Sequence, residues 1–490
     1  MRQAGLLQPV ASLPSPHGCG DFGPSAYKFI NLIAKTGAKI WQILPLNPLG
    51  YGNSPYQPYS SKAFDELYIS LELLSDEGLL PTNIKPFNED ADRIDYDAVR
   101  QYKMPYLLMA YNKFFALKKR GYYTWQKENA WVYNYAVFRA LKGNNYQRLW
   151  TEWPKEQKEW IKNHKFDIKP FEKDINFTMW LQYIAYQQWM KLRKYANKKG
   201  IKIMGDIPIY VGIDSDDVWT NQDAFELDNE GNATLVAGVP PDYFSKTGQR
   251  WGNPIYKWDY LKKHNYDFWI DRLSYNSKLY DIIRIDHFRA FNDYYQIPAS
   301  APTAEIGEWV DGPGRDFFDT VLKAIPHLEI VAEDLGDLTP GVLELRDHYN
   351  FKGMKITEFT FNPAEDQKEN WSSEDKANMI IYTGTHDNET MLGWWNNQSP
   401  EFQQASVRFL MELGYHPKND IIDNFLLVTF DSIADIAIIP TQDLLRLDNR
   451  ARINTPGTIG SPNWEWKLSS FVEFEARLPL LTLLIERSKR

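Results

Sequence analysis

Four acids in this chain stand where short apolar runs end. They are Asp206 in Gly205-Asp-Ile-Pro208, Asp286 in Arg284-Ile-Asp-His-Phe-Arg289, Glu333 in Ala332-Glu-Asp-Leu-Gly336 and Asp387 in Gly384-Thr-His-Asp-Asn388. If those runs are strands whose ends meet, the carboxyl groups share one pocket. They cannot then all ionise at their ordinary pKa, and their titrations separate into an acid and a base. Such a pair is what cleavage of a glycosidic bond requires. Residues two apart in a strand share a face, so Arg284 points the same way as Asp286. A guanidinium beside a carboxylate favours the ionised form that a nucleophile needs. Glu333 follows an apolar run, where burial raises its pKa and keeps it protonated as a general acid. His386 and Asn388 flank Asp387 and suit gripping sugar hydroxyls and orienting that acid.

Taken singly, each of these residues has a plainer reading. A strand-end acid is a ready N-cap for the helix that follows, Arg284 with Asp286 is a structural ion pair, and His287 or His386 alone is a satisfied structural histidine. Four such ends together, each near an Arg, His or Asn, favour a catalytic carboxylate site. Two other classes stay open. Asp206, Glu333 and Asp387 at barrel strand ends could bind Mg²⁺ for proton abstraction, with His287 as base, although Arg284 would place a second cation beside the metal. A glucan-binding protein without activity would explain the aromatic residues but not the acids on one face. No His/Cys cluster has zinc spacing, and neither a phosphate-cradling Gly-rich loop nor a Gly-x-Ser-x-Gly elbow occurs.

Something must bring those acids together. Apolar, β-branched runs at 38–45, 201–208, 281–286, 329–333, 353–359, 379–383 and 435–440 read as strands, with an eighth near 67–71. Between them lie amphipathic helices such as 178–199, closed by Gly200. Alternation of this kind means parallel strands with crossover helices. The expected fold is α/β, a (β/α)₈ TIM barrel with mainly helical insertions, whose strands converge on one face at their C-terminal ends. The expected organisation is one catalytic domain over 1–490, with a helical insertion at about 75–176 and a turn-rich insertion or lid at about 214–269. Long loops of that second kind are usually binding elements.

Composition agrees with a globular enzyme of this size. Hydrophobic residues make up 43% of 490, and 18 Trp, 29 Tyr and 26 Phe supply a sizeable core. A net charge of −9 without a Lys/Arg block argues against nucleic acid or an anionic membrane as partner. Cys19 is the single cysteine, so no intrachain disulfide forms, and the N-terminus lacks a signal-peptide core of about 7 to 15 apolar residues. A cytoplasmic location is the expectation.

With these motifs assembled, the chain resembles the 4-alpha-glucanotransferases (amylomaltase or disproportionating enzyme, glycoside hydrolase family 77) over essentially its whole length. The matching segments include Gly20-Asp-Phe-Gly23, Trp41-Gln-Ile-Leu-Pro-Leu-Asn-Pro48, Ser54-Pro-Tyr56, Gly248-Gln-Arg-Trp-Gly-Asn-Pro254 and Asn454-Thr-Pro-Gly-Thr458, besides the four acidic motifs. The resemblance implies retaining double displacement on α-1,4-glucans, with a glucan donor, a glucose or maltooligosaccharide acceptor, and no required cofactor or metal. It implies Asp286 as nucleophile, Glu333 as general acid/base and Asp387 as transition-state stabiliser. Tyr56, Asp206, Trp251, Arg284, His287, His386 and Asn463 match substrate-binding positions. An amylase-like α-1,4-glucan hydrolase, which uses the same three acids, is the alternative.

Overall fold

The computed structural model describes residues 2–116, 121–241, 245–336, 338–363, 375–417 and 420–490. Eight parallel strands form its centre: β1 Gln3–Leu7, β2 Ile40–Gln42, β3 Lys202–Pro208, β4 Ile282–Asp286, β5 Ile330–Ala332, β6 Gly353–Ile356, β7 Met379–Tyr382 and β8 Ile436–Pro440. Pairing runs β6-β7-β8-β1-β2-β3-β4-β5. A parallel bridge between Val331 and Lys352, with the Ala332 amide donating to the Lys352 carbonyl at 2.8 Å, brings the two ends together into a barrel.

The two faces of each strand divide the apolar residues between two cores. Leu7, Ile40, Met204, Ile282, Val331, Met354, Ile380 and Ile436, one from each strand, pack together as the barrel interior. Their neighbours Leu6, Trp41, Ile203, Ile283, Ala332, Ile381 and Ala437 face outward into the helical layer. Because side chains alternate along a strand, the positions two further on from the inner residues also point inward. Asp206 follows Met204, Arg284 and Asp286 follow Ile282, and Glu333 follows Val331. The inner apolar layer therefore forms a floor, and the charged residues stand above it at the C-terminal mouth.

The eighth strand is β1, and the expectation of a strand at 67–71 is corrected. Asp65 accepts the Leu67 amide at 2.9 Å and caps a short helical turn, Glu66–Tyr68, while Ser70 caps the helix Leu71–Asp76. An apolar run this short does not distinguish strand from helix by periodicity; the flanking cap residues decide it. β1 is inconspicuous because it is five residues long with a glycine at its centre. That glycine is required: a Cβ on Gly5 would lie 2.7 Å from the Ile40 carbonyl oxygen of the neighbouring strand.

Between β2 and β3 the chain runs through helices that include Tyr96–Ala116, Trp131–Asn144 and Glu172–Lys198. The last carries Trp180, Leu181, Ile184, Ala185 and Trp189 into the core and ends where Gly200 takes φ +80°. Residues 117–120, inside the span expected as a helical insertion, lie outside the described residues, as do 242–244 inside the span expected as a lid. The span after β3 holds two strands, Leu235–Val239 and Gln249–Pro254. They join Asp293–Pro298 and Glu308–Asp311, from the connection after β4, in a four-stranded antiparallel sheet. Trp251 thus sits on a strand of a small sheet. At the other end of the barrel Asp281 accepts Arg193 Nη2 at 2.5 Å, Asn197 Nδ2 at 2.7 Å and the Ile203 amide at 2.8 Å, tying β3, β4 and the Glu172–Lys198 helix together.

Candidate active site

Strand register places the central group. Asp206 of β3 and Arg284 of β4 are direct partners across the ladder, so two inward side chains meet at their base. Arg284 Nη1 donates to both oxygens of Asp206 at 2.7 Å and to Asp286 Oδ1 at 3.0 Å. The Tyr56 hydroxyl donates to Asp206 Oδ2 at 2.7 Å. Side-chain exposure is 0% for Asp206 and 3% for Arg284, but 28% for Asp286 and 43% for Asp387. The site is layered, with a buried arginine and aspartate below and acids that reach open space above.

Glu333 is aimed by the backbone. The His287 amide donates to its Oε2 at 2.7 Å and the Leu335 amide to its Oε1 at 2.9 Å. His287 can present that amide because it adopts the left-handed region, φ 52°, at the end of β4. Its ring lies edge-on to Trp251 with centroids 4.8 Å apart. Asp387 is held by Asn454 Nδ2, which donates to Oδ1 at 2.7 Å, and has His386 Nε2 3.4 Å from its Oδ2. The Tyr56 ring stacks on His386 at 5.0 Å and 14°.

Burial sets the titration of this group. It pushes both Asp286 and Glu333 up to about 7, with Arg284 acting in the opposite direction on each and the neighbouring acids adding to the rise. Arg284 pulls Asp286 toward its ionised form, and burial outweighs that pull. Its guanidinium is shared with Asp206, so one cation serves two carboxylates. Burial holds His287 down to about 4 and also lowers His386, so both rings are neutral near pH 7.

A family model for 4-alpha-glucanotransferase matches residues 8–473. The chain belongs to this family. The 4-alpha-glucanotransferase of Streptococcus pneumoniae is 41% identical over 96% of this chain and 93% of its own length. That of Thermus thermophilus is 37% identical over 95% of each. Among solved structures, the amylomaltase of Streptococcus agalactiae in complex with acarbose superposes with a TM-score of 0.93 at 35% identity over the whole of both chains. The enzyme is accordingly a glycosyltransferase of the 4-alpha-glucanotransferase class on a (β/α)₈ barrel.

In this glucanotransferase the residues expected at the site divide into three groups. Asp286, Glu333, Asp387, Tyr56, Trp251 and His287 are partly exposed and gather at the mouth. Asp206, Arg284 and His386 are buried beneath them. Asn463 stands apart: it is 5% exposed, its Oδ1 accepts the Thr455 amide at 2.9 Å and its Nδ2 donates to Thr458 Oγ1 at 2.8 Å. Its amide braces the 455–463 loop. Asn388 likewise turns inward, accepting the Thr385 amide and hydroxyl at 2.9 Å each, and it does not face the cleft.

Sequence reading missed several supports. Tyr382 of β7 donates to Gln42 Oε1 of β2 at 2.9 Å, a buried polar pair across the barrel whose tyrosine feels the charges of Arg284 and Asp206. Gln42 lies two residues beyond the inward Ile40, the same parity signal that marked Arg284. Gln57 Nε2 donates to the Trp251 carbonyl at 3.1 Å and to Asn253 Oδ1 at 2.8 Å, fixing the small sheet to the barrel. Arg452 Nη2 donates to the Asp387 carbonyl at 2.6 Å. Asn454, which opens the Asn454-Thr-Pro-Gly-Thr458 motif, is the residue that holds Asp387.

Proposed function

We propose that the enzyme works by retaining double displacement, with Asp286 as nucleophile, Glu333 as general acid/base and Asp387 as the acid that stabilises the transition state. It moves segments of α-1,4-glucan to a glucose or maltooligosaccharide acceptor. The observation that carries this assignment is the division of the acids by depth. Asp206 is spent on Arg284 and Tyr56, whereas Asp286, Glu333 and Asp387 keep access to the cleft. Both acids titrate near 7, and the form that reacts at neutral pH is the one with Asp286 ionised beside the guanidinium and the proton on Glu333.

In the first step Glu333 gives its proton to the glycosidic oxygen as that bond to the anomeric carbon breaks, and an Asp286 oxygen forms an ester to the same carbon. The leaving sugar departs with the proton. In the second, an acceptor hydroxyl gives its proton to Glu333 and attacks the anomeric carbon, releasing Asp286 as carboxylate. Asp387, anchored by Asn454, is placed to stabilise the positive charge of the oxocarbenium-like transition state. Neutral His287 and His386 add no competing cation to it.

A sugar rather than water completes the second step when the pocket excludes solvent. Trp251 packed on His287 and tethered through Gln57 supports that role. A metal-dependent reading has little support, since both oxygens of Asp206 and of Glu333 are engaged by protein donors. Among the described residues no group of three His, Cys, Asp or Glu is arranged to hold a metal ion. Also among them, no helix is long and apolar enough to cross a membrane. Cys19, the single cysteine, is buried and free, which agrees with a reducing compartment, and we place the enzyme in the cytoplasm. Incubation with purified maltotriose tests the reading. Longer maltooligosaccharides plus glucose are expected, and glucose with maltose alone would make it an amylase-like hydrolase.

A further inference from the structure

We propose that Glu358 is a positioning residue for the reaction, bracing the turn that carries Asp387. This role rests on the reading of Asp387 as the acid that stabilises the transition state. Glu358 stands just past β6, in the helical turn Thr357–Thr360, and its amide donates to the Thr383 carbonyl at 3.2 Å, just past the end of β7. Its side chain lies against the turn that follows. A Cβ on Gly384 would come within 3.2 Å of Glu358 Oε2 and 3.0 Å of the Asn388 Cβ. The Asn388 carboxamide lies beside the Glu358 carboxyl group, and its Oδ1 takes the Thr385 amide and hydroxyl at 2.9 Å each. Thr385 Oγ1 accepts the Asp387 amide at 3.3 Å. A continuous line of contacts thus runs from Glu358 to the backbone of Asp387.

The place suits a neutral carboxyl group. Glu358 is 8% exposed, and its Oε2 is buried with no hydrogen-bond partner among the described residues, a setting that disfavours an ionised oxygen. Two further acids face it, and both have other work. Asp443, in the turn Thr441–Leu444 after β8, accepts the Met391 amide at 2.7 Å and the Thr383 hydroxyl. Glu389 accepts from the side-chain amides of Asn397 and Asn449. Burial, then Asp443, then Glu389 push Glu358 up to about 9, against the weaker pull of Arg452 and Asn388. Arg452 is needed elsewhere: its Nη2 donates to the Asp387 carbonyl at 2.6 Å and its Nε to the Asn454 carbonyl at 2.7 Å, and Asn454 holds Asp387 Oδ1. A neutral Glu358 leaves that arginine on the two residues that fix the catalytic acid. An ionised one draws it away.

The test measures kcat and KM for maltotriose disproportionation in Glu358→Gln, Glu358→Ala and Asp387→Ala from about pH 6 to about pH 10. Glu358→Gln keeps both shape and neutrality, so near pH 7 its kcat should lie within about twofold of wild type. Dividing the Gln variant's kcat by that of wild type cancels the limbs that Asp286 and Glu333 give to both. That ratio should climb as pH passes about 9, where the wild-type carboxyl group ionises. Glu358→Ala should lower kcat on the order of tenfold to a hundredfold with KM near that of wild type, because a displaced Asp387 weakens the transition state alone. A ratio that stays flat with pH, or a Gln variant as impaired as the Ala one, would overturn the proposal. Asp387→Ala separates it from the assignment beneath it. If that variant has lost transfer, a flat ratio counts against Glu358 alone; if its transfer is undiminished, Asp387 loses its role and Glu358 loses its own with it.

Discussion

The two ends of strand β4 hold acids in opposite circumstances. At the N-terminal end Asp281 accepts from an arginine, an asparagine and a backbone amide, so one carboxylate has one cation and its acceptor sites are filled. At the C-terminal end one guanidinium faces Asp206 and Asp286 within hydrogen-bonding distance, with Glu333 close enough to feel its charge. Arg284 Nε there is buried without a hydrogen-bond partner. The first arrangement is balanced and holds elements together. The second has acids in excess, two of them pushed up to about 7, and a catalytic site is where such an imbalance is retained. The contrast gives a working distinction between an ion pair that serves the fold and one that serves a reaction.

The largest expected effect breaks the functional end. Asp286→Ala removes the attacking oxygen, and kcat for maltotriose disproportionation should fall by about 10⁴-fold or more. Folding, read by circular dichroism, should be retained, because Arg284 keeps both contacts to Asp206. Residual transfer within tenfold of wild type would remove Asp286 from the role of nucleophile.

The structural end should respond the other way. Asp281→Ala leaves Arg193 with an unpaired charge and the Ile203 amide without its acceptor, at a cost of about 3 kcal/mol. Urea unfolding measures that loss, and kcat per folded molecule should not change. A drop in kcat without a drop in stability would erase the distinction drawn between the two ends.

How far these ends could be told apart from sequence depended on whether the deciding contact was local. Strand parity is local, so the inward direction of Arg284, Asp286 and Glu333 was legible, and with it the barrel and the acids at its mouth. Register between strands is a long-range property. That Asp206 lies directly beside Arg284, and so takes much of its charge from Asp286, follows from a pairing of residues 78 apart. The partner of Asp387 shows the same limit: Asn388 is next to it in sequence, but Asn454, 67 residues on, makes the contact. The small sheet was hidden for this reason too, since strands from two different insertions complete it. β1 escaped notice because its glycine serves a close approach to β2 and carries no apolar signal.

The smallest effect sharpens the comparison through pH. A buried acid whose folded pKa is raised is protonated in the native state while the unfolded chain already ionises. Asp286, raised from 3.8 to about 7, therefore contributes no penalty below pH 3.8, where it is protonated in both states. Between pH 3.8 and 7 the unfolded state is increasingly favoured, and above 7 the penalty is constant. Asp286→Asn removes the titration while keeping the shape. It should be more stable than wild type, by an amount that grows from about pH 4 to about pH 7 and then levels. Because Asp286 shares its titration with Glu333 and is partly exposed, only part of the full shift appears as stability, on the order of 1–2 kcal/mol at the plateau. Melting temperatures of the two proteins across pH 4 to 8 read that difference directly. A gap that stays flat with pH, or one that closes as pH rises, would mean that Asp286 is held ionised in the fold and is as well balanced as Asp281.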